Sequence, residues 1–211
     1  MTRPSPPDLL ALHAVRLLGL ADLPAITARF DLAHAEAEQS LHAAEARHLV
    51  QHTSFAGLEG WFLTDGGKAE NERRLAEERA LADPGDVIGS VYADLLPLNA
   101  RLLRACTDWQ LRPADGDTLA ANDHGDPDWD ADILEELARL HRSLVPLVDR
   151  LTGILARFGG YDTRFAAALH RAYSGEHGWV DRTDVDSCHR VWFQLHEDLV
   201  ATKGIDRRAE R

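Results

Sequence analysis

The stretch LPAITARFDLAHAEAEQSLHAAEARHLVQHTSFAGLEGWFL, Leu23 to Leu63, decides the fold. Ala25, Ile26 and Phe30 recur at helical spacing, Asp31 interrupts, and Ala37, Leu41, Ala44 and Leu49 share one face of a second helical run. That is helix, turn, helix. After Leu49 the pattern becomes alternating, with Val50, His52 and then Phe55, a bend from Gly57 to Gly60, and Trp61, Phe62 and Leu63 returning. A hairpin in that place is a wing. Thr64 with Asp65 then caps a polar helix through Lys68, Glu72, Arg74 and Glu78. Upstream, a Pro-rich leader from Met1 to Pro7 reads as mobile, and Asp8 caps a first helix carrying Leu9, Leu12, Leu17 and Leu20.

The phrase GWFLTDGGKAENERRL, which closes this segment, carries a resemblance. It is similar to the Leu-Thr-x-x-Gly-Lys/Arg junction between wing and helix in winged-helix regulators of the MarR and PadR type. The resemblance covers roughly the first 80 residues and implies a DNA-binding domain over 1–82, three helices plus a two-stranded wing. The rest of the chain resembles the uncharacterised helical part of actinobacterial regulators, sometimes found near pyruvate phosphate dikinase-like proteins. Four helices after a winged domain suggest a helical effector or dimerisation domain over 87–211.

A length of 211 residues has room for one large or two small domains, and 45% hydrophobic with 27% charged residues is a globular composition. Cys106 and Cys188 form no spacing motif, so a reducing, cytoplasmic compartment is the simplest expectation. The apolar run Leu9 to Leu20 is interrupted by His13 and Arg16 and falls short of the ~20 residues of a membrane span. It also lacks the cleavage site of a secretory signal. Charge is the difficulty for DNA. The net charge is -12. Residues 1–82 hold 8 Lys and Arg against 12 Asp and Glu, and residues 83–211 hold 15 against 23, so neither half is basic. Local patches can still dominate a net charge.

DPGD at Asp83 to Asp86 marks the domain boundary. Beyond it, Val87 to Trp109 carries an apolar helical stripe expected to break or kink at Pro97, followed by an Asp- and Gly-rich loop from Arg112 to Trp129. The longest helix is expected from about Asp130 to Phe158, stopped by Gly159 and Gly160. A short helix through Phe165, Leu169 and Tyr173 and a last helix from about Asp184 to Thr202 complete a mainly α fold.

Candidate chemistry lies in three places. If the second helix of the pair reads DNA, His34, Gln39, His42 and Arg47 are placed to contact it, and Lys68, Arg73 and Arg74 beyond the wing are phosphate candidates. Glu36, Glu38 and Glu45 oppose this. The acidic loop Asn122 to Leu137 invites an EF-hand comparison, but Ala131 stands where the template needs Gly and Leu137 where it needs Glu. Its acids suit the start of a helix instead. In DSCHRVWFQLHEDL, His189 and His196 share a face about 10 Å apart, too far for one ion to take both, and His196-Glu197 is followed by Val200 where a zinc protease needs His. Cys188 beside His189 is no dyad, because helix neighbours diverge by about 100°. Trp109, Asn122, Asp123, His124, Asp186, His189, Trp192, His196 and Glu197 therefore form either a ligand pocket or a polar network that fixes helix register.

The expectation is a ligand-responsive winged-helix transcriptional regulator binding double-stranded DNA, homodimeric, with a small-molecule effector and no metal, cofactor or catalytic residue. The alternative is an adaptor using the winged fold to bind a protein, such as an enzyme of phosphoenolpyruvate metabolism.

Overall fold

The computed structural model describes residues 2–55, 57–113, 117 and 119–205, so parts of the hairpin tip and of the loop from Arg112 to Trp129 lie outside the described residues. Helix α1 (Pro7–Leu18) opens with proline in its first turn, where a missing N–H costs nothing. Pro6 occupies the cap position expected of Asp8, and the Asp8 carboxylate instead accepts from the Leu9 N–H within the first turn. The leader is not free. Arg3 pairs as an isolated bridge with Leu155, its N–H donating to Ile154 and its carbonyl accepting from Ala156, both at 3.0 Å.

Helix α2 (Leu23–Phe30) is capped by the Asp22 carboxylate on the Ala25 N–H and ends at Asp31, whose φ of 52° is left-handed. Helix α3 (His34–Ala46) follows after the turn. Strands β1 (Val50–Phe55) and β2 (Leu58–Leu63) pair antiparallel, with Val50 opposite Leu63 and His52 opposite Trp61. Three helices followed by a two-stranded wing make a winged-helix-like layout. Ala21 adds a bridge to the outer side of β2, exchanging both backbone hydrogen bonds with Trp61 at 2.8 and 3.1 Å. The core beneath contains Leu12, Val15, Ile26, Leu41, Val50 and Trp61. Leu20, expected in that stripe, lies beyond the end of α1 and is 44% exposed, while Leu17 is buried. Ala25 is exposed as well.

Helix α4 (Asp65–Ala82) explains the wing-to-helix phrase in physical terms. The Thr64 hydroxyl accepts from the Gly67 N–H at 3.0 Å and donates back to the His48 carbonyl at 2.7 Å, tying the helix start to the α3–β1 junction. Gly67 sits so close to this junction that a Cβ would lie 1.8 Å from the Leu49 carbonyl oxygen.

The chain divides into two compact units. The first comprises Met1–Ile88, Gly153–Arg157 and Glu197–Arg211, and the second Gly89–Thr152 and Phe158–His196. Val87, Ile88, Gly153–Arg157 and the segment from Glu197, read from sequence as part of the helical domain, thus belong to the winged unit.

Helix α5 (Val87–Gln110) continues through Pro97 as one helix, so of the break or kink expected there, the break does not occur. Helix α6 (Pro127–Thr152) starts earlier than predicted, because Pro127 is suited to a first turn and the Asp126 carboxylate accepts from the N–H groups of Asp128 and Trp129. It also ends earlier, and a separate 3-10 turn forms at Ala156–Phe158. Helix α7 (Tyr161–Tyr173), a 3-10 turn at His177–Trp179 and helix α8 (Cys188–Lys203) follow. The second unit is centred on buried Leu95, Leu137, Leu140, Leu144, Phe165 and Trp192. Among the described residues, no helix is long and apolar enough to cross a membrane.

Candidate functional site

Helix α3 exposes His34, Glu36, Glu38, Gln39 and His42, followed by Arg47 and His48. The sequence-selected contact residues are therefore accessible, and the α3 N-terminus has no side-chain cap, leaving its first N–H groups and the positive end of the helix dipole bare. Most nearby arginines are neutralised by carboxylates. Arg73 bridges Glu70 and Glu77 at 2.8 and 2.5 Å, and the Arg73 guanidinium holds the Glu70 carboxyl below its ordinary range. Arg74 pairs with Asp8 at 2.9 Å and Arg47 approaches Glu70 at 3.4 Å. Lys68 is exposed and makes no ion pair among the described residues.

The cleft between α3 and the wing, about 880 Å³, is lined by four acids, Asp22, Glu38, Glu45 and Glu59. Among the described residues, neither Lys nor Arg lines it. His42 and His52 lie against Trp61 there, with ring centroids 5.3 and 4.8 Å from it, and each stands near an acid, Glu45 at 3.7 Å and Glu59 at 3.5 Å. A cleft of this charge repels a phosphate backbone and attracts a cation.

The winged unit also holds a sealed ionic network that sequence reasoning missed. Arg157 donates to Glu78 at 3.1 Å, to the Thr202 hydroxyl at 2.8 Å and to Asp198. His13 Nε2 lies 3.0 Å from the same Asp198 carboxylate and its Nδ1 3.2 Å from Asn71 Oδ1. His13, Asn71, Asp198 and Thr202 are wholly buried. Burial opposes the Asp198 charge, but Arg157 and His13 outweigh it and hold its carboxyl well below the usual range. Burial pulls His13 the other way, below the ordinary imidazole value, against the attraction of Asp198.

A histidine depressed in the folded state takes up its proton first in the unfolded chain. Stability should therefore fall as pH drops below about 6.5, whereas the Asp198 contribution is lost only below about 3.9. Urea unfolding between these values should show the decline in the native protein and a shallower one in His13→Gln. Equal slopes would contradict a neutral, buried His13.

The nine residues selected for a ligand pocket take separate partners. Trp109, Asn122 and His124 come together, joined by His177 and Asp130. Asp123 is exposed and its carboxylate accepts from the Gly125 N–H in the loop. Asp186 pairs with Arg164, Trp192 donates to Asn99, His196 lies on Tyr92, and the His189 N–H donates to the Val180 carbonyl. Glu197 belongs to the first unit, where it and Glu72 flank Arg16 at 2.8 and 2.9 Å. His177 was not selected from sequence, since it stands alone in SGEHG with no spacing partner.

Both cysteines are buried thiols. Burial pushes Cys106 up to about 12 and raises Cys188 too, the opposite of what a nucleophile needs.

No family model, curated protein or solved structure matches this chain.

Proposed function

We propose that the chain is a ligand-responsive transcriptional regulator of the winged-helix type, akin to the MarR and PadR regulators, whose first unit binds duplex DNA. The observation that carries this is an exposed α3 with an uncapped N-terminus, placed between a tight turn and a wing. Bare N–H groups and His34 at that end suit a phosphate, Lys68 supplies a second cationic contact, and Gln39 can bond an adenine edge. Leu96 and Leu103, seven residues apart on α5 and 45% and 49% exposed, support a homodimer through the second unit. The effector site of this reading is the cluster of Trp109, Asn122 and His124. An effector acts there only through unequal affinity for two conformations of the regulator.

The acid-lined cleft beside Trp61 favours a second reading, an adaptor whose cleft receives a Lys- or Arg-rich segment of a partner protein. One pair of variants separates the two. Replacing Glu38, Glu45 and Glu59 together by Gln should tighten binding of a labelled duplex, measured by fluorescence anisotropy, and Lys68→Ala should weaken it. If the triple variant leaves duplex binding unchanged and abolishes binding of an oligoarginine peptide, the adaptor is the function.

A further inference from the structure

We propose that His124, Asp130 and His177 bind one divalent transition-metal ion of the zinc class, and that this ion is the effector. The inference rests on the reading of this cluster as a ligand site. Each residue offers one donor atom, and the three atoms lie within 4.8 Å of one another although they come from a loop, the first turn of α6 and a 3-10 turn.

The donors are held in place. The Asp130 carboxylate lies 2.8 Å from His124 Nδ1 through one oxygen and accepts from the Asn122 amide at 2.9 Å through the other. Asn122 is itself fixed, donating to the Trp109 carbonyl at 3.0 Å and accepting the His124 N–H at 3.1 Å. His124 adopts a left-handed φ of 59°, a conformation that costs a side-chain-bearing residue about 1 kcal/mol or more and that a plain turn would give to glycine. The Trp109 ring walls the cluster, 4.6 Å from His124 and 5.6 Å from His177, and the two imidazoles meet edge to face at 4.3 Å.

Two imidazoles with one carboxylate suit zinc, nickel or cobalt, whereas magnesium and calcium favour shells of oxygen. Tetrahedral bonds of about 2.1 Å bring donors to about 3.4 Å apart, so the widest gap must close by about 1.4 Å. His177 can make that movement. It is exposed, on a single 3-10 turn shortly after Gly175, whose φ is 88°. An ion taking both His124 Nδ1 and Asp130 replaces the hydrogen bond between them, and the imidazole then carries its proton on Nε2. Three protein donors leave a fourth position for water.

The test uses the full chain, stripped by a chelator and free of any affinity tag, in equilibrium dialysis against Zn²⁺, Mg²⁺ or Ca²⁺, with Co²⁺ absorption as a second readout of tetrahedral nitrogen ligation. One Zn²⁺ per chain is expected, without competition from Mg²⁺ or Ca²⁺. Altering only the groups behind metal ligands costs 10- to 100-fold in affinity, so loss of a ligand in His124→Ala or His177→Ala should cost about 100-fold or more. His170→Ala, exposed on α7, should bind as the native protein does. Because the His177 ring is exposed, His177→Ala should melt at the native temperature without metal. Absent stoichiometric uptake, uptake that survives His177→Ala, or equal loss in His170→Ala would overturn the assignment. Uptake is measured without DNA, so its failure and a failure of duplex binding are separate results.

Discussion

Arg157→Met is expected to lower the stability of the winged unit by about 3–5 kcal/mol, read as a shift in the urea midpoint. The magnitude follows from what is left behind. Asp198 is wholly buried and Glu78 nearly so, and Arg157 is the cation that both address. With the guanidinium gone, His13 must take up a proton inside the core or Asp198 must surrender its charge, and either change opposes the shifts that burial and pairing impose. Removing the carboxylate as well should recover part of the loss, because replacing both partners of a buried pair by apolar groups is far less costly than orphaning one. Arg157→Met with Asp198→Leu should therefore be more stable than Arg157→Met alone. A single-variant loss under about 1 kcal/mol would show that water reaches the network.

Gly67→Ala should cost about 3 kcal/mol, the upper part of the range for overpacked sites. An added methyl would meet a backbone carbonyl, which cannot swing aside as a side chain can. The neighbouring Gly66 offers the control. A Cβ there would find nothing nearer than the Thr64 hydroxyl at 3.6 Å, so Gly66→Ala should be neutral or slightly stabilising in a helix. Matching losses at the two positions would mean that helix propensity rather than the approach of α4 to Leu49 dominates.

These residues show how far the chain can be read without its structure. The winged layout was legible because its signals are local: Asp31 at the turn, the change to alternation after Leu49, and Thr64 at the next helix start. The ends of α6 were misplaced because the predicted start at Asp130 overlooked Pro127 and its cap Asp126, and because the apolar period continued past Thr152 into a separate turn. The ionic network was invisible, since His13 and Asp198 are separated by most of the chain and His13 sat in a run read only for its hydrophobicity. The residues of the candidate ligand site were half legible. Asn122 and His124 stood out beside a helix start, but no spacing rule links them to His177, and the periodicity that joined Glu197 to His189 on one helix cannot reveal that α8 serves two units.

The central claim, that the winged unit binds DNA through few cationic contacts, is tested most directly by the salt dependence of duplex binding. Lys68 and the α3 N-terminus with His34 amount to about two phosphate contacts per winged unit, so log K should fall with log salt at a slope near -2 per unit. Between about 50 and 200 mM salt that is roughly a tenfold loss for one unit and about 100-fold for two acting together, against 10³ to 10⁵ for a surface making six to ten contacts. A shallow slope that Lys68→Ala reduces by about one is the expected result. No duplex retained at the lowest salt, or a slope that Lys68→Ala leaves unchanged, would contradict it.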